Sequence, residues 1–160
     1  MKKINKILAC IDLSDYSLMT LESAVELAKG HQADIILLNV INQRDLHGVE
    51  MVSGYYSSEF TVEGYVKELR KERLGLIKNM IKENFFNEKS MMTIKIDLGI
   101  PFECILEAVE TEGADLIVMA NKGRGNLSRV FFGSVAEKVF RHSPVPVVSV
   151  RDKMKFKRGH

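Results

Sequence analysis

The sequence predicts one doubly wound α/β domain, in which helices cover both faces of a parallel sheet. Short apolar runs alternate with segments of helical periodicity along the whole chain, as they do where helical crossovers join parallel strands. The runs at 35–40 and 116–120 are apolar at nearly every position, which is typical of strands buried on both faces. At 160 residues the chain is about one domain long, and it can bury a core without disulfides or metals.

The first strand and the first helix have clear sequence signals. Apolar residues from Ile4 to Ile11 predict the strand, and helical periodicity begins at about Asp15. Lys29 and Gly30 predict the helix C-terminus, because a cation suits the last turn and glycine adopts the left-handed cap conformation without steric cost.

The middle of the chain combines an irregular segment, a long helix and a third strand. A polar stretch at 42–60 is longer than most connections, which predicts a functional lid or a mobile loop. The helix follows from about Val62 to Phe85. The run from Thr93 to Leu98 alternates strictly between apolar and polar residues, so one face is wet and we expect this strand at a sheet edge.

The last third of the chain completes the alternation. Pro101 fits the first turn of a helix, and Gly113 fits its end. The remaining elements are a central strand at 116–120, a glycine-bearing loop at 121–133, a helix from Ser134 to about His142 and a last strand from Val145 to Val150.

Charge and cysteine usage restrict the classes of function. The formal net charge is +2, but residues 151–160 carry five cations against one carboxylate, so residues 1–150 have no cationic excess. We therefore expect a folded domain at 1–150 and a basic, disordered tail at 151–160, with no nucleic-acid or membrane surface. Cys10 and Cys104 lack a CxxC spacing and no apolar run approaches a membrane span, which together favour the cytoplasm.

The segment from Ala120 to Ser134 carries the clearest signal for chemistry. A predicted strand leads into a glycine-rich loop and then into a helix, where Ser134 and Glu137 have the spacing of a capping box. Free amides at a helix N-terminus attract anions, and Gly133 would let a phosphate approach the backbone. Any strand–helix connection can carry glycines, however, so the residues alone leave phosphate binding and a plain structural turn about equally open.

The same segment resembles the nucleotide loop of the universal stress protein family. The ATP-binding branch of that family has glycine, two residues, glycine, nine residues, glycine and then serine or threonine. Gly123, the nine residues 124–132, Gly133 and Ser134 match this spacing, whereas Ala120 stands in place of the first glycine. The resemblance covers nearly the whole chain, through Lys6-Ile7-Leu8 into Ile11-Asp12 with Ser14, the Gly99-x-Pro101 turn, Ala114–Met119, Gly133–Glu137 and Ser143–Val147.

The resemblance implies a fold, a ligand and a site. The fold is a three-layer, Rossmann-like adenine-nucleotide-binding domain with a five-stranded parallel sheet in the order 3-2-1-4-5, whose ligand lies where strands 1 and 4 diverge. The ligand is ATP or AMP, which Mg²⁺ can accompany. The residues expected to contact it are Cys10, Asp12, Val40, Met119, Ala120, Lys122, Gly123, Arg124, Gly133, Ser134 and Val135.

Within that set, the family assigns different parts of the nucleotide to different residues. Asp12 and Val40 correspond to the positions that hold the adenosine. Gly123, Gly133 and Ser134 correspond to positions that hold the phosphates, and Met119 and Ala120 line the approach. Asp12 equally suits a cap of the turn that follows it. At Ala120 a methyl group would weaken binding if the backbone needs a positive φ or if a phosphate contacts its Cα, and would cost little in an ordinary strand.

Three functions remain candidates at this point. The first is a nucleotide-binding regulatory or stress-response protein, and the second is an interaction protein of the same family that acts through dimerisation without a nucleotide. An enzyme is the third, but the turn after the first strand lacks G-x-G-x-x-G, and no Walker motif or serine elbow is present. The four histidines share no metal-ligand spacing, so we predict no catalytic residue and no metal ligand.

The position of the last strand predicts that the chain pairs with a second copy of itself. At a sheet edge it must be paired or protected, and members of the family commonly dimerise through it. Pro144 and Pro146 lack donors, so pairing would be restricted to one side of the strand or to its later half. The residues expected in a homodimer contact are Val145, Val147, Val148 and Val150.

Overall fold

The chain forms a parallel sheet between two layers of helices in a computed structural model, which describes residues 3–54, 61–122 and 133–152. The strand order β3-β2-β1-β4-β5 confirms the predicted order, and β3 lies at an edge as its alternation predicts. No helix in these three ranges is long and apolar enough to span a bilayer. The elements are β1 (Lys6–Cys10), α1 (Ser17–His31), β2 (Asp34–Asn42), α2 (Gln43–Ser53), α3 (Val62–Asn84), a short 3-10 helix (Lys89–Met91), β3 (Met92–Gly99), α4 (Pro101–Glu112), β4 (Leu116–Ala120), α5 (Ser134–His142) and β5 (Val147–Val150).

Two hydrophobic cores lie on opposite faces of the sheet. Successive strand residues face opposite sides, so Ile35 and Leu37 of β2 belong to one core and Ile36 and Leu38 to the other. Helices α1 and α3 cover the first face, and α4 and α5 cover the second. This arrangement explains the near-continuous apolar runs of the central strands, because each side chain meets a helix whichever way it points.

The prediction of an irregular segment at 42–60 is wrong for residues 43–53, which form α2. Asn42 begins the helix, because its side chain accepts a hydrogen bond from Arg44 N at 3.1 Å. Leu46 is the buried apolar residue of α2, so the helix has no apolar stripe that the sequence could reveal. Residues 55–60 lie outside the described ranges.

Helix α1 ends later than the sequence predicts. Gly30 lies inside the helix, and Gln32 instead adopts the left-handed conformation of the C-cap, with φ of 56°. Gly113 does cap α4 as predicted, with φ of 67°. The glycine signal was therefore right for α4 and wrong for α1, where Ala28 O accepts hydrogen bonds from Gln32 N and, at 3.0 Å, from Ala33 N and so closes the helix after Gly30.

The first and last strands are shorter than predicted. β1 begins at Lys6 and ends at Cys10, and β5 begins at Val147 rather than Val145. Before β5, the hydroxyl of Ser143 donates to Val145 O at 2.7 Å and accepts from Val145 N at 3.2 Å. These bonds hold Val145 in a local turn, and the strand begins two residues later.

Two glycine substitutions should change the free energy of unfolding in opposite directions. Gly30→Ala should raise it by about 0.5 kcal/mol, because alanine favours the helix and a Cβ there would meet no atom within 4 Å. Gly113→Ala should lower it by about 1 kcal/mol, because a Cβ is strained at positive φ. Urea unfolding of both variants measures the difference, and a more stable Gly113→Ala protein would contradict it.

Candidate functional site

A crevice of about 430 Å³ opens at the carboxyl ends of the central strands. Such crevices bind ligands in doubly wound sheets, because the chain leaves neighbouring strands toward opposite faces there. Gly123 and Arg124 lie outside the described residues. All the other predicted site residues line the crevice: Cys10, Asp12, Val40, Met119, Ala120, Lys122, Gly133, Ser134 and Val135.

The crevice exists because β1 and β2 stop pairing before β2 ends. Their ladder ends at the pair Cys10 and Leu38, followed by one bond of 2.9 Å from Ile11 N to Leu38 O. The next bond of a parallel ladder would run from Val40 N to Ile11 O. Instead, Nδ2 of the buried Asn39 donates to Ile11 O at 2.8 Å. The side chain of Asn39 thus takes the place of a ladder bond.

The backbone of Val40 consequently faces the opening. In a parallel strand the N–H and C=O of alternate residues point to the same side, so Val40 shares the direction of Leu38, whose carbonyl bonds to Ile11. β2 continues to Asn42, which places Val40 inside the strand and not at its end as the sequence suggested. Its carbonyl accepts a hydrogen bond from Arg73 Nη1 at 3.1 Å.

Asp12 combines a structural contact with a place in the crevice wall. Its Oδ1 accepts hydrogen bonds from Ser14 N at 3.0 Å and from Ser17 Oγ at 3.3 Å. These bonds hold the turn between β1 and α1, in which Leu13 has a φ of 62°. The interpretation of Asp12 as a cap for this turn therefore agrees with the structure, and the same residue also lines the crevice.

Ala120 is an ordinary strand residue. It pairs with Val150 in the β4–β5 ladder, and it is not among the described residues with positive φ. The loop that follows is closed at its base, because Gly133 N donates to Asn121 O at 2.8 Å. The conformational objection to alanine at position 120 therefore does not apply.

The predicted capping box of α5 is wrong. Gly133 is the N-cap and Ser134 the first helical residue, and among the described residues no side chain caps this end of the helix. Ser134 is one position too late for its hydroxyl to act as the N-cap, and Glu137 pairs instead with Arg141 at 2.9 Å. The first-turn amides, next to the crevice-lining Ser134, Val135 and Ala136, thus keep the dipole and donors of an anion site.

The sequence missed one wall of the crevice, which α1, α2 and α3 supply. Ser17 and Thr20 of α1, Asp45 of α2 and Arg73 of α3 line it. Arg73 is only 7 % exposed and lies on the buried stripe of α3, one helical turn before Ile77. A charged residue at a stripe position was the available signal, and it could have identified Arg73.

Neither cysteine is an activated nucleophile. Burial raises the pKa of the Cys10 thiol to about 12. The pKa of Cys104 is also raised, first by burial and then by Asp97 and other carboxylates. Both thiols are protonated at neutral pH and therefore poorly reactive. Within the described ranges, no three His, Cys, Asp or Glu side chains cluster as metal ligands would.

Comparisons with known proteins agree with this architecture. The chain is 32% identical over 147 residues to the universal stress protein YxiE of Bacillus subtilis, an alignment that covers 92% of this chain and 99% of the relative. It is 30% identical over 158 residues to the universal stress protein MJ0577 of Methanocaldococcus jannaschii, with 92% and 95% covered.

The solved structures and the family model give the same result. The structure of MJ0577 matches with a TM-score of 0.77 at 30% identity, covering 95% of this chain and 99% of that one. UspA from Lactobacillus plantarum matches with a TM-score of 0.71 at 23% identity, covering 94% and 100%. The model of the universal stress protein family matches residues 3–151. The chain therefore belongs to the universal stress protein family.

Proposed function

We propose that this chain binds an adenine nucleotide, ATP or AMP, and acts as a regulatory or stress-response protein without conventional turnover. One observation carries the proposal: a single crevice is lined both by Val40, just past the end of the β1–β2 ladder, and by Ser134 and Val135 in the first turn of α5. Its volume of about 430 Å³ lies within the range of about 300–1,000 Å³ that small-molecule sites have.

Each part of a nucleotide has a complementary group in the crevice. The N–H and C=O of Val40 are a donor and an acceptor side by side, which matches N1 and the 6-amino group of adenine. Asp12 offers carboxylate oxygen to a ribose hydroxyl. The amides of α5 and the ammonium of Lys122 suit the phosphates. Gly123 and Arg124 stay predicted phosphate contacts.

The fold holds related ligands elsewhere. A universal stress protein 19% identical to this chain was crystallised in complex with cAMP, with a TM-score of 0.60. Another, from Archaeoglobus fulgidus, has a solved structure in complex with dAMP, at 17% identity and a TM-score of 0.56. Those complexes demonstrate binding for those proteins, and they support adenine as the base to test first.

The competing function is an interaction protein that has lost the nucleotide. Ala120 was the feature in its favour, and the ordinary strand backbone of Ala120 weakens that argument. Calorimetry with ATP and AMP separates the two functions, and a flat titration at millimolar ligand would leave the interaction protein as the better account. Acid extraction of protein purified from cells, followed by mass spectrometry, identifies any nucleotide that it carries.

Binding without turnover rests on the chemistry of the crevice. Cys10 is a protonated thiol, and its raised pKa makes it a poor nucleophile. A Mg²⁺ ion would depend on the phosphates of the ligand for most of its oxygen contacts. Reduced cysteines also suit the cytoplasm, which we propose as the location of the protein.

Asp12→Asn should weaken AMP binding about tenfold, because the variant loses a charged hydrogen bond to the ribose. The amide keeps one oxygen that can accept from Ser14 N, so the turn is retained. Isothermal titration of AMP into both proteins measures the effect.

Asp115→Asn is the matched control for this measurement. Its Oδ2 accepts from Asn5 N at 2.9 Å and Lys6 N at 3.2 Å, at the opposite end of the sheet from the crevice. We expect this control to lose stability while its AMP affinity stays that of the wild type. Equal affinities in the wild type and Asp12→Asn would contradict the role given to Asp12.

Ala120→Gly should change AMP affinity by less than about threefold. The residue sits in the β4–β5 ladder and requires no positive φ, so glycine offers no conformational gain. The same calorimetric experiment tests this expectation. A tenfold gain would show that the methyl group crowds the phosphates, and the protein would then be a weakened binder.

We also propose that the chain forms a homodimer through β5. This strand is at the sheet edge, and Pro146 O and Val150 O accept bonds from β4. Alternation then turns the backbone groups of Val147 and Ser149 outward. Pro146 therefore faces inward and does not block the edge, while Val150 is buried in the core that α1 covers.

Ser149→Pro should convert the dimer into a monomer, because it removes an outward N–H while leaving the inward ladder intact. Ser149→Ala is the control, since the buried hydroxyl of Ser149 has no hydrogen-bond partner to lose. Sedimentation equilibrium should give twice the chain mass of 18.1 kDa for the wild type and the alanine variant. A monomeric wild type at micromolar concentration would overturn the dimer.

A further inference from the structure

We propose that Arg73 is a positioning residue, which fixes the backbone of Val40 so that this backbone can recognise the purine base. The proposal rests on the nucleotide-binding function proposed above and extends it to a residue on the outer helix α3. It follows from a buried chain of hydrogen bonds beneath the crevice, in which a guanidinium is the central donor.

The chain of hydrogen bonds joins three separate elements. Arg73 Nη1 donates to Asn39 Oδ1 at 2.8 Å and to Val40 O at 3.1 Å. Asn39 Nδ2 in turn donates to Ile11 O at 2.8 Å. Arg73 is 7 % exposed and Asn39 is fully buried, so α3, β2 and the end of β1 are tied together out of solvent.

A charge at this position is costly for packing alone. The stripe of α3 that carries Arg73 continues with Ile77 and Ile81, which pack into the core. A buried guanidinium is tolerated only when it is well paired, and an apolar side chain of similar volume is often as stable or more so. The location of Arg73 in the crevice wall indicates a role at the site instead.

Two effects on Val40 follow from the geometry. A carbonyl oxygen can accept two hydrogen bonds, so Arg73 fixes the peptide plane of Val40 and leaves one acceptor position for a base. Asn39 Nδ2 donates to Ile11 O where the next ladder bond from Val40 N would lie, and the β1–β2 pairing ends at Cys10 and Leu38, so Val40 N is left outside the ladder. Without Arg73, Asn39 Oδ1 loses the donor of its hydrogen bond. The backbone N–H and C=O of Val40 are then no longer held in position.

The test compares AMP with purine riboside 5′-monophosphate, which has hydrogen in place of the 6-amino group. The wild-type protein should bind AMP about fivefold more tightly than the 6-hydrogen analogue, because AMP can donate one additional hydrogen bond to Val40 O. In Arg73→Met that preference should fall to about one, because the carbonyl is no longer held. A general loss of structure would weaken both ligands equally and leave the ratio unchanged.

Arg70→Met is the matched control. Arg70 is one turn earlier on α3, and its Nη1 also donates to a backbone carbonyl, that of Ile96 on β3. It does not line the crevice, so its variant should keep the wild-type ratio. If Arg73→Met fails to fold, Arg73→Lys replaces it, and its ratio should fall at least about twofold because the shorter ammonium holds Val40 O less firmly.

The outcomes separate this inference from the proposed function. If wild type binds neither ligand at millimolar concentration, nucleotide binding itself is wrong. If wild type binds AMP but shows no preference over the 6-hydrogen analogue, or if the Arg73 variants keep the wild-type preference, the role of Arg73 is wrong while nucleotide binding stands.

Discussion

The early end of the β1–β2 ladder is the constraint on which the site depends. β1 leads to α1 on one face of the sheet and β4 leads to α5 on the other, so the chain leaves these two neighbouring strands toward opposite faces. Asn39 Nδ2 then donates to Ile11 O where the ladder would have continued. The strand order opens the crevice. The buried side-chain amide of Asn39 takes the place of a ladder bond and so leaves the backbone N–H and C=O of Val40 available to a ligand.

Positively and negatively charged groups lie on different parts of the crevice wall. The amides of α5 and Lys122 supply positive potential on the β4 side, whereas Asp12 and Asp45 contribute carboxylates elsewhere on the wall. Arg73 lies beneath Val40 and is tied to neutral oxygens of Asn39 and Val40. Such a site can orient a molecule that has a base at one end and phosphate at the other.

The same features favour holding a ligand over transforming one. Donors at the N-terminus of α5 are rigid parts of a helix, and they bind an anion without moving a proton. The thiol of Cys10, the one cysteine in the crevice, is kept protonated by burial. The chain belongs to the universal stress protein family, and the regulatory role proposed for it needs only that the crevice be occupied.

The sequence by itself determined the layers and the parallel sheet, because apolar periodicity is a local signal, and its resemblance to the universal stress protein family implied the candidate ligand residues from β1, β2 and β4. It misplaced the cap of α1 and missed α2, since Gln32 takes a conformation that its residue type disfavours and α2 has no apolar stripe. Only the tertiary structure brought Arg73 beside Val40, 33 residues away. A buried polar contact between residues far apart in the sequence depends on how α3 packs against the sheet. Hydrophobic periodicity is a local pattern and does not predict that packing.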